Sequence, residues 1–366
     1  MNNSLNAICP YFTMFPIDYP DKIIAEHGSP NSVVLDPFCG RGTTNFSARA
    51  HGLKSIGIDV SPVACAISES KLANTTPEKI ASLADKILSN ESDPEVPEGE
   101  FWKQMYDSDT LNDICKLRNF LIDNHDTDEE RALRGIVMGA LHGRLNKGPP
   151  TYFSNQFPRT YASKPDYAVR FWEKRELVPP KVDSLSLIKV KAERYYSTDI
   201  PDGGGAIINS DSTDKASYET VTKIAKNGVD LIITSPPYYG MNTYVADQWV
   251  RNWFVGGPST VEYTMKGQVS TGGKKGFRDK LESVWNNCKD ISSDKAKLFI
   301  RFGAINSVES NPEELIMSSL ENTGWEIIQT ELAGVPKSNT RQANTFVKEI
   351  RNSKIEFDIV CALEKG

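Results

Sequence analysis

Two short segments of the chain carry residue types whose order and spacing suit chemistry. The first is Asp36-Pro37-Phe38-Cys39-Gly40-Arg41-Gly42-Thr43-Thr44, which follows a short apolar run and sets two glycines where a strand must turn sharply into a helix. Glycines at such a turn let a ligand approach the backbone closely. There is no GxGxxG and no GxxxxGK(S/T) phosphate loop, so dinucleotide and nucleoside-triphosphate readings lose their main support. A loop led by a carboxylate suits instead a ligand with a cationic amino-acid end. Asp59, closing the next apolar run, is placed to accept hydrogen bonds from ribose hydroxyls, and Asp211, closing a third, from an adenine amine.

The second segment, Thr234-Ser235-Pro236-Pro237-Tyr238-Tyr239-Gly240, follows directly on an apolar strand. Two prolines remove two backbone donors and restrict the chain, so the carbonyls around Ser235 and Pro236 point in fixed directions. A hydroxyl and a fixed carbonyl can grip an exocyclic amine, and a following aromatic can stack on an extracted base. Each signal alone has a plain structural alternative: a tight connection, a helix-capping acid, a Pro-rich turn packed by aromatics. What weighs against these is three acids at the ends of three separate strands, because the carboxyl edge of an open parallel sheet is where such folds bind ligands.

The elements that position these residues alternate as a parallel sheet requires. Ser32 to Asp36, Lys54 to Asp59, Ala206 to Asp211, Val229 to Thr234 and Lys297 to Phe302 read as strands, with Trp325 to Leu332 and a final strand Phe357 to Leu363 behind them. Helices are expected from Thr43, over Pro62 to Leu72, and over Asn311 to Thr323. Between Pro77 and about Pro201 the alternation stops and amphipathic segments, including Ala132 to Leu145, take over. The expected organisation is therefore a catalytic domain over residues 1–76 and 202–366, with residues 77–201 as an inserted, mainly helical subdomain.

Taken together the two motifs resemble those of the amino-methyltransferases of DNA, in which a DPFxGxGTT-like loop binds S-adenosylmethionine and a D/N/S-P-P-Y/F/W motif holds the target amine. Here they stand as DPFCGRGTT and TSPPYYG, and Tyr11-Phe12-Thr13-Met14-Phe15-Pro16 is similar to the aromatic segment that precedes the first motif and helps close over the methionine end. The resemblance covers roughly residues 11–72 and 206–363, with the cofactor half before the catalytic half. It implies an α/β fold with a Rossmann-like class I methyltransferase sheet, mostly parallel with an antiparallel last strand. It also implies that Phe12, Thr13, Asp36, Phe38, Gly40, Gly42 and Thr43 contact S-adenosylmethionine, with Asp59 at the ribose and Asp211 at the adenine. Ser235, Pro236, Pro237 and Tyr238 would form the catalytic pocket. Adenine enzymes of the family usually begin this motif with Asp or Asn, whereas Ser, as at position 235, is more typical of enzymes acting on cytosine N4. Cytosine is accordingly favoured. The alternatives are adenine N6, then an RNA base, then a catalytically silent DNA-binding subunit. DNA is the implied partner, and a cognate restriction nuclease is compatible with the resemblance.

Composition sets the bounds. Among 366 residues, 39% are hydrophobic and 25% charged, ordinary for a globular protein, and no stretch approaches a membrane span. Six cysteines without CxxC or Cys/His spacing argue against a zinc site and suit a reducing cytoplasm. The net charge of −6 argues against indiscriminate coating of nucleic acid, but charge is unevenly distributed. Between His142 and Arg175 seven basic residues (Arg144, Lys147, Arg159, Lys164, Arg170, Lys174, Arg175) face two acids and interleave with aromatics, the combination that phosphate contact and base stacking require. A second candidate is the Gly/Lys-rich stretch Gly256 to Arg278, with Lys274 and Lys275, read as a segment that orders on DNA. Gln248, Trp249, Arg251 and Trp253, shortly after the second motif, are candidates to fill the space left by an extruded base, although the spacing of the two tryptophans also suits a helix core.

Overall fold

The computed structural model describes residues 4–11, 15–146, 148–159, 162–240, 245–263, 273–303, 311–333 and 356–364. These fall into two compact units: one of residues 11–68, 201–243 and 266–366, the other of residues 1–10, 69–200 and 244–265.

The first unit is built on seven strands: β1 (Val33–Asp36), β2 (Lys54–Asp59), β3 (Gly205–Asn209), β4 (Val229–Thr234), β5 (Ser292–Gly303), β6 (Trp325–Leu332) and β7 (Glu356–Leu363). Their order across the sheet is β3-β2-β1-β4-β5-β7-β6. The pairings β3/β2, β2/β1, β1/β4 and β4/β5 are parallel, and β7 runs antiparallel to both β5 and β6. This is the Rossmann-like class I methyltransferase arrangement, mostly parallel with an antiparallel last strand in chain order.

Strand alternation decides what each face buries. Val34, Leu231, Ile233 and Phe299 pack with Ile23, Ile24, Ala48 and Leu53, which come from or adjoin the helices Asp18–His27 and Thr43–Ala50. Their neighbours in sequence, Leu35, Ile232, Leu298 and Ile300, point the other way, onto Phe277, Leu281, Trp285 and Ile316 of the helices Gly273–Asp290 and Pro312–Leu320. Both faces are covered, so the central strands read as continuous apolar runs.

The chain leaves β1 toward β2 on one side and β4 toward β5 on the other. The crevice outside the carboxyl ends of β1 and β4 is thus a topological switch point, the place where open α/β sheets take their ligands.

The second unit is helical, including Ser108–Asp123, Asp128–Ala140, Pro165–Glu173, Ser184–Tyr196 and Trp249–Phe254. A capping box between Thr127 and Glu130 starts Asp128–Ala140. The helix expected from Ala132 to Leu145 therefore begins and ends earlier. Its core is aromatic: Trp102 lies 4.5 Å from Trp253, and Phe101 lies 4.6 Å from Trp249 and 5.3 Å from Trp172. No helix of the described residues is long and apolar enough to cross a membrane.

Candidate active site

Asp36, Asp59 and Thr234 are the last residues of β1, β2 and β4, so parallel pairing delivers them to one edge of the sheet. Asp36 is 1% exposed. Its Oδ1 accepts hydrogen bonds from Thr234 Oγ1 (2.7 Å) and the Phe38 amide (3.1 Å), and its Oδ2 accepts one from Thr44 Oγ1 (2.7 Å). One carboxylate thus ties together the Gly-rich loop, the helix that follows it and the strand that launches the Pro-Pro-Tyr segment.

Burial pushes the Asp36 carboxyl up to about 6 from 3.8, against the hydrogen bonds from Thr234, Thr44 and Phe38 that favour its charged form. Because the folded value is the higher one, its contribution to stability is fully present below about pH 4 and is lost as pH rises through about 6. Asn at this position keeps an acceptor for Thr234 and Phe38, while its amide donates to Thr44, whose hydroxyl turns to the Ile233 carbonyl 3.3 Å away. Asp36→Asn is therefore expected to flatten the pH dependence of melting between about pH 4 and 6 and to equal or exceed the wild type at pH 7.5, by as much as about 3 kcal/mol for two pKa units. A series of thermal melts across that range checks this. Parallel slopes for the two proteins would show that Asp36 is not the titrating group.

The turn between β1 and the helix Thr43–Ala50 depends on both glycines. Gly40 and Gly42 have φ of +50° and +70°, in the left-handed region that side chains disfavour. A Cβ on Gly42 would also sit 2.7 Å from Ser68 Oγ, whose hydroxyl donates to the Gly40 carbonyl at 2.8 Å. A Cβ on Gly40 would meet nothing within 4 Å among the described residues. Asp59 Oδ2 accepts from the Gly40 amide (2.9 Å) and Oδ1 from the Ser61 amide (2.8 Å), with burial raising the carboxyl above its ordinary value. Tyr11, its phenol also raised by burial and by the charge of Asp59, shares a hydrogen bond with Ser61.

Asp211 stands two residues beyond the end of β3. Its Oδ1 accepts from the Thr213 amide and hydroxyl, at 2.9 and 2.8 Å. Phe38 is half-buried, edge-on to Trp285 at 6.5 Å. Phe12 and Thr13 lie outside the described residues.

In the Pro-Pro-Tyr segment Pro236 is buried, and Ser235, Pro237 and Tyr238 are half-buried. Tyr238 stands edge-on to Phe302 at 5.5 Å and donates its hydroxyl to Glu356 Oε1 at 2.8 Å. Burial, and then the Glu356 charge, raise the Tyr238 phenol well above its ordinary value, so it remains a donor. Sequence reasoning missed Glu356. It sits 118 positions away on the first residue of β7, with no local signal, and only the register Gly303↔Glu356 beside Phe302↔Phe357 brings it there. Thr234 and Thr44 were likewise missed as partners of Asp36, although both stand inside the motifs.

The expected DNA-contacting residues are split. Arg144, Arg159, Lys164 and Arg170 belong to the helical unit, whereas Lys274 and Lys275 belong to the sheet unit. Lys147 lies outside the described residues. Lys274 and Lys275 are exposed in the first turn of the helix Gly273–Asp290, a correction to the reading of that part of the stretch as a loop awaiting DNA. Arg144, Lys164 and Arg170 are exposed. Arg159 and Lys164 act on Asp247, lowering a carboxyl that burial raises.

The interleaved aromatics divide as well: Phe153, Phe157 and Trp172 are buried core. Gln248, Trp249, Arg251 and Trp253 are also buried, with Arg251 donating to the Met138 carbonyl at the end of Asp128–Ala140 and to Gln248 Oε1. These four pack the helical unit and are not available to replace an extruded base.

Residues 2–70 match the family model of the N6/N4 type described as DNA methylase. The type II methyltransferase M.MjaII of Methanocaldococcus jannaschii is 31% identical over 113 residues, 31% of this chain and 20% of that protein. The type II methyltransferase M.BsoBI of Geobacillus stearothermophilus is 38% identical over 63 residues, 17% of this chain and 12% of that protein. The matches thus span a fifth or less of those relatives. Among solved structures, an rRNA methyltransferase, AviRa of Streptomyces viridochromogenes, aligns over 99% of this chain and 93% of its own with a TM-score of 0.37 and 10% identity. The assignment of the fold stands on the strand order given above.

S-adenosylmethionine is the cofactor that the resemblance implies, and the residues of the sheet edge fit it. Among the described residues, nothing fills the space beside Gly40, and the buried Thr43 hydroxyl has no hydrogen-bond partner. Asp59 has spent only part of its acceptor capacity on the Gly40 and Ser61 amides. Residues 2–70, which hold the DPFCGRGTT loop, are thus similar to DNA methylases of the N6/N4 type, in keeping with the resemblance read from that loop.

Proposed function

We propose that the protein methylates the exocyclic amine of a base in DNA, cytosine N4 in the first place. The observation that carries this reading is the Thr234–Asp36 hydrogen bond of 2.7 Å, which joins the cofactor loop to the residue preceding Ser235-Pro236-Pro237-Tyr238. A donor site and an amine-gripping segment held by one buried carboxylate are the two halves of a group transfer.

Bound S-adenosylmethionine would supply a sulfonium methyl for the amine lone pair to take, the C–S pair leaving with the thioether and the amine losing its proton afterwards. The chain's own residues orient and exclude water. Asp59 and Asp211 accept from the nucleoside end, and the Gly40–Gly42 turn lets the ligand reach the backbone. Ser235 and the Pro236 carbonyl accept the amine's hydrogens, turning its lone pair outward, while Tyr238 presents a ring to the base. Ser235 is neutral and has no role as a base, so catalysis rests on positioning and on acceptors facing a nitrogen that becomes positive. The preference for cytosine comes from Ser235, where adenine enzymes carry Asp or Asn. DNA contact is assigned to Arg144, Arg159, Lys164 and Arg170 of the helical unit and to Lys274 and Lys275 of the sheet unit. The helical unit serves as the recognition region.

Nucleoside mass spectrometry of DNA from a host expressing the protein is expected to show 4-methylcytosine absent from the host without it. Only 6-methyladenine would move the target to adenine and keep the reaction class. Methyl groups in RNA alone would overturn DNA as substrate, and no methylation together with no calorimetric binding of S-adenosylmethionine would make the chain a silent subunit.

A further inference from the structure

In the helical unit, Pro165–Glu173 buries Ala168 and Trp172, so its share of the core is filled. Two more aromatics on the same helix stay outside. Tyr167 is 52% exposed, and its ring stacks on that of Phe171, with centroids 6.4 Å apart and planes 24° from parallel. On Phe171, in turn, lies the guanidinium of Arg175, 3.9 Å from the ring centroid. The three form a row whose end is the exposed ring of Tyr167. A further exposed ring, Tyr263, carries the ammonium of Lys164 at 5.0 Å.

Charge is sorted about this row. At about 100° per helical residue, Arg170, Phe171 and the C-capping Lys174 project within about 60° of Tyr167, whereas the acids Asp166 and Glu173 lie about 100° or more away. Lys164 precedes the helix and interacts with the charge of Asp247. Cations that flank an exposed aromatic without an intervening acid match a nucleotide, whose base has a π face and whose phosphates lie on either side of it. An apolar protein partner would leave those cations unanswered.

We propose that Tyr167, with Phe171 and Arg175 behind it, is a stacking site for an unpaired nucleotide, its phosphates held by Arg170 and Lys174. This site lies in the other unit from the methyl-transfer residues, and it rests on the reading of the protein as one that acts on DNA.

The test uses the full chain and two labelled 12-mers of equal charge, a single-stranded oligodeoxynucleotide and its fully abasic counterpart, titrated by fluorescence anisotropy. The wild type is expected to bind the base-bearing strand about tenfold more tightly than the abasic one, within the range stacking on an aromatic supports. Tyr167→Ala should bring the two to one affinity and Tyr167→Trp should restore the gap. Arg170→Gln with Lys174→Gln should weaken both strands alike and flatten their salt dependence. A wild type that does not distinguish the strands overturns the site, as does a Tyr167→Ala protein that still does. Loss of a concentration-dependent dimer in Tyr167→Ala, with strand affinity unchanged, would assign the face to a second copy of the chain and overturn it too. Strand binding without any DNA methylation by the wild type would sink the methyltransferase reading and leave this one standing. Methylation with no discrimination between strands would do the reverse.

Discussion

Tyr238→Ala is expected to lower the rate of methyl transfer by between about fivefold and a hundredfold, the worth of one base–aromatic stack, while S-adenosylmethionine affinity changes by less than about twofold. In the proposed reaction the ring is the part that faces a base, but its setting depends on the hydroxyl. That hydroxyl donates to Glu356 at 2.8 Å, and the ring edge rests on Phe302. From sequence alone Tyr238→Phe reads as mild, because only the ring is used. The tie to Glu356 changes that expectation: Phe leaves a carboxylate without its donor and the ring free to rotate. Hydrogen bonds to charged groups are worth about 1.5–3 kcal/mol, so Tyr238→Phe and Glu356→Ala should each cost an intermediate amount. The double variant should cost no more than the larger of the two, since both remove one interaction. Glu356→Gln, which keeps an acceptor, should recover most of the rate. Single-turnover rates on duplex DNA, with cofactor affinity from calorimetry, decide the matter. Additive losses would mean that Glu356 does not act through Tyr238.

Asp59→Ala should weaken S-adenosylmethionine binding by about tenfold to a hundredfold, and by more than Asp59→Asn. Leaving buried donors without an acceptor costs about 1–3 kcal/mol each, and under the proposed role the carboxylate would serve protein as well as ligand. It accepts from the Gly40 amide on Oδ2 and from the Ser61 amide on Oδ1, so alanine strips both and loosens the turn that Gly40 and Gly42 make. Asn keeps one acceptor and should fall between. Calorimetric titration gives the affinities, and a melt of each variant without ligand separates the turn from the ribose: a fall in melting temperature without loss of affinity would assign Asp59 to the turn alone.

Much of the sheet was legible in the sequence. Lys54–Asp59 and Val229–Thr234 form over the residues the periodicity predicts, because strands buried on both faces need unbroken apolar runs and the flanking acids, glycines and prolines end them locally; Trp325–Leu332, a mostly exposed edge strand, also forms over the expected residues. The helix Pro62–Leu72 agrees equally well. Less legible were the surfaces. Basic and aromatic residues alternate along residues 142–175, yet Phe157 and Trp172 go inward while Tyr167 stays out, and no window of sequence distinguishes them. Lys274 and Lys275 looked like part of a loop because glycines surround them, but the apolar spacing of Phe277, Leu281, Val284 and Trp285 extends the following helix back over them.

The sequence by itself determined the chemistry on offer: a Gly-rich turn led by Asp36, acids following three strands, and a rigid Pro-Pro-Tyr segment, all set by residue type and short-range spacing. The tertiary structure decided how they meet. Asp36 and Thr234 are 198 positions apart and share a hydrogen bond because β1 and β4 pair in parallel at the switch point. Tyr238 reaches Glu356 because β7 enters between β5 and β6 and runs against them. Residues 1–10 and 244–265 join the helical unit, although their places in the chain adjoin the two motifs. Such choices depend on contacts between distant residues, whose free energy is won only once the intervening chain has been ordered, so local propensity does not encode them.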